Sequence, residues 1–135
     1  AFKQIGYFAS GAYACGKCEV ATEDSGTKDS TPTIGVSATA SFNVALGAQA
    51  LYSDTTGDLL TAIGASALYS NTKGKSNTAI GSSALYFNDT GSNNVGVGNF
   101  ALFNSKYSSD NTALGVGTLE NLDGGNSNTV VGKSA

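Results

Sequence analysis

A short motif ending in glycine recurs six times at intervals of 17 residues, and no other feature restricts the fold as much. The copies begin at Asn43 (NVALG), Leu60 (LTAIG), Asn77 (NTAIG), Asn94 (NVGVG), Asn111 (NTALG) and Asn128 (NTVVG). A fixed short period implies a solenoid, because each repeat can bury its apolar side chains only against its neighbours. A second column follows in register: Leu51, Leu68, Leu85, Leu102 and Leu119. Ahead of it stand Ala50, Ala67, Ala84, Ala101 and Thr118, and behind it Tyr52, Tyr69, Tyr86, Phe103 and Glu120.

Two short runs of alternating character predict two short strands in each coil, since side chains along a strand alternate between faces. On that pattern Val44, Thr61, Thr78, Val95, Thr112 and Thr129 share the core face with Leu46, Ile63, Ile80, Val97, Leu114 and Val131. The intervening Ala45, Ala62 and Ala79 then point outward, where small side chains would admit another backbone, and are candidate lateral contacts. The glycine that closes each first run marks a corner with a positive φ or no room for Cβ. The polar stretch holding Gly57, Gly74, Gly91 and Gly125 reads as a loop, and Ser108 breaks that glycine column.

Helix is excluded because the apolar runs are too short and glycine interrupts every one. A three-sided hexapeptide β-helix would want three apolar sites at six-residue spacing, whereas two sites and a loop fit a two-strand parallel β-roll. The expected fold is therefore an all-β solenoid, with a regular array over 43–135. Residues 1–42 use the same vocabulary in a looser rhythm (Ile5-Gly6, Cys15-Gly16, Ile34-Gly35) and read as irregular coils or a separate cap.

Cys15 and Cys18 form C-G-K-C. A disulfide closing a tight turn suits an extracellular chain, and a buried thiol beside an exposed one is the alternative. Zinc would need four ligands, and the chain has no His and no other Cys. Thioredoxin-type redox chemistry would want a strand-to-helix context that is missing.

Charged residues make up 13% of the 135, Arg is absent and the net charge is −3, so nucleic-acid binding by phosphate neutralisation has little to work with. No apolar run is long enough to span a membrane. Methionine is absent, so Ala1 is expected to follow a removed signal peptide or to begin an excised fragment. The sixth repeat stops soon after Val130 and Val131, and an uncapped solenoid end must be continued, paired or trimmed.

The stretch Gly35-Val36-Ser37-Ala38-Thr39-Ala40-Ser41-Phe42-Asn43-Val44-Ala45-Leu46-Gly47 resembles the head repeats of trimeric autotransporter adhesins, with their S-V-A-I-G-like motif. The copy running from Asn77 through Ala84-Leu85-Tyr86 to Gly91 is similar to the N-T-A-x-G-x-x-A-L arrays of phage tail-fibre-like and bacterial surface proteins. The resemblance covers roughly residues 31–135. It implies a left-handed parallel β-roll, three chains side by side about a fibre axis, and a role in attachment at a cell or virion surface. The spacing here is longer than the adhesin repeat by about one loop.

An enzyme is not expected: there is no His, no G-x-S-x-G elbow, no P-loop and no paired carboxylates at a recurring spacing. No cofactor or metal is implied either, since Asp54, Asp58, Asp89, Asp110 and Asp123 do not repeat in register as a calcium-binding roll requires. Repetition gives length and a uniform surface, which suits a structural or adhesive fibre. Tyr52, Tyr69, Tyr86 and Phe103 form an aromatic ladder facing away from the Leu column, either packed on a sister chain or binding a host protein or glycan. Ice binding by the Thr column is disfavoured, because Val44 and Val95 interrupt it and alternation turns it inward. A head-to-tail filament is the other assembly, in which Val130 and Val131 meet the Ile5 region of the next subunit.

Overall fold

The computed structural model describes residues 12–15, 40 and 42–135, with the backbone alone for 12–15. Seven strands form one sheet in chain order: β1 (Ala12–Cys15), β2 (Asn43–Leu46), β3 (Thr61–Ile63), β4 (Thr78–Ile80), β5 (Val95–Val97), β6 (Thr112–Leu114) and β7 (Thr129–Val131). Strands β2 to β7 are parallel and pair 17 residues apart, as in Thr61 with Thr78 and Ile63 with Ile80. β1 runs antiparallel to β2, with Ala12 opposite Leu46. The array is an all-β solenoid of about five turns, as the period implies. The rest of 1–42, including Cys18 and Ile5, lies outside the described residues, and of Cys15 only the backbone is described.

Only the N-T-A-I-G run of each coil is extended. The second run also makes an inter-coil ladder, with Leu51 N to Ala67 O at 3.0 Å and Leu85 N to Ala101 O at 2.9 Å, but its backbone is a turn. Its Leu residues sit in the left-handed region, at φ between +51° and +54°. The reason is closure. In a complete regular coil such as that of Thr78 to Asn94, Gly81, Ser83, Leu85 and Asn93 all have positive φ. So many reversals within 17 residues leave room for one three-residue strand. Gly81 shows why its column is invariant: φ is +133°, and a Cβ there would lie 2.5 Å from the Gly98 carbonyl oxygen.

The faces of the strand are the reverse of the sequence expectation. Ala45, Ala62, Ala79 and Ala113 are buried at 2% exposure or less, together with the Ala that precedes each Leu and most of the Leu column. The flanking Val44, Ile80 and Leu114 are each 38% exposed. The interior is narrow: a Cβ on Gly96 would lie 3.4 Å from Leu85 Cδ1. Leu reaches across from the opposite wall, so Ala or Gly stands at the middle of the strand in β3 to β6 and at Ala45 in β2, Val130 on β7 being the exception, and the flanking branched residues are left outside.

Two polar ladders fill the remaining interior. Asn77, Asn94 and Asn111 are fully buried, and each donates its Nδ2 across its own coil to the carbonyl of Gly91, Ser108 and Gly125. Asn77 Oδ1 accepts from Asn94 N at 2.9 Å, and Asn111 Oδ1 from Asn128 N at 2.9 Å, so identical amides link successive coils. In the second ladder Asn88 Nδ2 donates to Asn71 Oδ1, and Asn71 Nδ2 to Asp54 Oδ1, both at 2.9 Å. Buried amides that would each be costly alone are thereby paired.

Candidate interaction surfaces

Three surfaces arise from this coil. The first is the outward face of the sheet, where a column of Val44, Thr61, Thr78, Val95, Thr112 and Thr129 runs beside one of Leu46, Ile63, Ile80, Val97, Leu114 and Val131. Residues 43–50, 60–67, 77–84, 94–101, 111–118 and 128–132 contain no charged side chain. From residue 43 on, the charges belong instead to the turn side, at Asp54, Asp58, Lys73, Lys75, Asp89, Lys106, Asp110, Glu120 and Asp123, with Lys133 in the last coil. The ion pair of Lys75 Nζ with Asp58 Oδ2 at 2.7 Å is exposed and contributes little. The outward column could have been found from sequence: the column kept smallest is the one facing a tight interior.

Ala45, Ala62 and Ala79 therefore cannot serve as lateral contacts, since they are sealed inside the coil against the Leu column. The Thr column is not turned inward as alternation implied, because only the middle strand residue faces the core. Of the end-to-end candidates, Val131 is 70% exposed on β7 and Val130 is half-buried.

The second surface is the aromatic ladder. Tyr52 and Tyr69 stack with centroids 5.0 Å apart and planes 4° from parallel, and Tyr69 and Tyr86 at 4.9 Å and 2°. Phe103 continues the stack at 5.3 Å and 27°. Inner rings cover one another's faces and present mainly their edges, so the ladder first of all braces the coils.

The third is where the repeat is broken. Ser105 replaces the Asn of the second ladder and turns its hydroxyl to Leu102 O at 2.8 Å. Asn88 Oδ1 is left as the one buried side-chain polar atom without a partner among the described residues. Ser108 accounts for this. In the equivalent coil a Cβ on Gly74 would lie 2.5 Å from Asn71 Oδ1, so a side chain at 108 requires a shorter one at 105. Phe87 and Phe100 are exposed beside this break, and Lys106 Nζ lies 5.0 Å from the Tyr107 ring centroid.

Among the described residues no group of three acidic, His or Cys side chains could hold a metal, and no helix is long and apolar enough to cross a membrane. Comparison with family models, curated proteins and solved structures finds no match to this chain.

Proposed function

We propose that the chain is a non-enzymatic structural or adhesive module of an extracellular fibre, at a cell or virion surface, whose copies associate side by side through the outward sheet face. The observation that carries this reading is that this face has no charge and presents eight aliphatic side chains among four threonines, against a charged turn side. Depletion of charge with branched apolar side chains is the composition of an interface core. Six strands spaced about 4.8 Å apart give a strip about 29 Å long. Three-residue strands make the strip about 10 Å wide and about 300 Å² in area, below the roughly 800 Å² per partner of a standard interface, so association of the isolated array depends on concentration.

Light scattering across a concentration series tests it. The expected result is growth from one chain to a discrete mass of three, in line with the adhesin-head resemblance, and loss of that growth in Ile80→Asp. A single chain at every concentration would refute side-by-side assembly. Open-ended growth unaffected by Ile80→Asp would instead support a head-to-tail filament.

A further inference from the structure

Of the exposed rings at places where the repeat does not need one, Phe87 and Phe100 adjoin the aromatic ladder. In the column two residues past each corner glycine, Gln49, Ser66, Ser83, Gly117 and Ser134 are the equivalents of Phe100. The backbone there is left-handed, with φ +57° at Phe100, where a bulky side chain is least at ease. Phe100 is also 39% exposed, so neither conformation nor burial explains it. Phe87 stands where Ser53, Ser70, Asn104 and Asn121 stand, and is 42% exposed. An unfavourable residue held in place points to use rather than to folding.

The two rings bracket Phe103. Phe100 lies 5.2 Å from it at 75°, and Phe87 5.1 Å at 78°, with Phe87 also 4.6 Å from Tyr86 at 76°. Both stand across the stack, and among the described residues no parallel ring covers either. Asn99 adjoins Phe100 and Asn104 adjoins Phe103; both are exposed, and neither carboxamide makes a hydrogen bond among the described residues. Residues 90–105 carry no charge, and Asp89 and Lys106, one of each sign, bound them.

We propose that Phe87 and Phe100, with Asn99 and Asn104, form a binding site for a neutral saccharide. The C–H face of a pyranose packs on an uncovered aromatic ring, whose π-face is electron-rich. Ring hydroxyls need donors and acceptors together, which a free carboxamide supplies. Asp89 and Lys106, which flank the site, offset one another in formal charge, so it offers no net charge to an ionic ligand. The site deepens the attachment reading and rests on it for its purpose.

Saturation-transfer NMR, irradiating aromatic protons in the presence of free maltose, cellobiose or lactose, tests the site. Transfer to one face of a sugar ring is expected, with a Kd on the order of 1 mM. Phe87→Ser with Phe100→Ser, which installs residues the repeat already uses at these columns, should weaken binding at least tenfold. Asn99→Ala with Asn104→Ala should weaken it with an unchanged circular dichroism spectrum, and Tyr52→Ser should leave it intact. Absence of transfer with all three sugars would overturn the proposal, as would binding retained in the double Phe variant. So would a change in solution mass in that variant, since the rings would then belong to a protein interface. Failure of the fibre reading appears in the wild-type mass alone and leaves sugar transfer unaffected.

Discussion

Replacing Asp54 with Asn should stabilise the solenoid at neutral pH and do nothing near pH 4. Asp54 is 4% exposed and occupies the position that Asn71 and Asn88 hold in the next coils. Burial pushes its carboxyl from 3.8 up to about 6, against the lowering effect of hydrogen bonds from Asn71 and the Gly57 amide, with the Asp58 charge pushing the same way as burial. A carboxyl whose folded pKa lies above its unfolded value binds protons more tightly when folded. Its stabilising effect is full below about 3.8 and is lost as pH rises through about 6. Two pKa units correspond to about 3 kcal/mol, and solvent screening reduces the expected effect to about 1–2 kcal/mol. The carboxamide has a ready role, because Asn71 Nδ2 donates to Gly74 O at 3.1 Å and Asn88 Nδ2 to Gly91 O at 3.0 Å. Urea unfolding of wild type and Asp54→Asn at pH 4 and pH 7.5 isolates this group from the other carboxylates. A variant less stable than wild type at pH 7.5, or a difference independent of pH, would refute the reasoning.

Gly81→Ala should lose about 3 kcal/mol or more, since φ is +133° and the added Cβ meets the Gly98 carbonyl; thermal unfolding reads it directly. Leu59→Asn should gain about 0.5–1 kcal/mol, because Leu59 is 59% exposed at φ +58° and Asn93 already stands in that column; a lower melting temperature would contradict this. Ser105→Asn paired with Ser108→Gly should restore a donor to Asn88 Oδ1 and gain about 1 kcal/mol, while Ser105→Asn alone destabilises through crowding at Ser108. A double-mutant cycle measures that coupling.

The coil period, the corner glycines and the Leu column were legible because stacking repeats must present the same residue at the same place. The sense of the strand was misread, although the smallness of its middle column signalled it. Reading Ile80 inward and Ala79 outward equates branched with buried, yet in a coil this thin the opposing Leu85 takes the space and leaves room for a small residue such as Ala79. The second strand was over-read because Leu68 at φ +51° looks extended in a sequence pattern and is a corner in space. Asn71 and Asn88 read as turn residues, and Asn77 as the polar first residue of a strand run, when taken one coil at a time. Their 17-residue register was the available signal that they stack as buried amides. The pairing of Ser105 with Ser108 was visible as two breaks in one repeat, but only the close approach of Gly74 to Asn71 Oδ1 explains why they occur together. Of the aromatic ladder, the register was readable and the near-parallel stacking was not, because it depends on ring orientation.

Thermal unfolding of Ala79→Leu beside Ile80→Ser tests most directly which side of the strand faces the interior. With Ala79 buried and Ile80 38% exposed, Ala79→Leu should cost about 1–3 kcal/mol and Ile80→Ser no more than about 1 kcal/mol. The opposite order, with Ile80→Ser unfolding the coil and Ala79→Leu tolerated, would contradict the packing and with it the exposed face on which the proposed assembly rests.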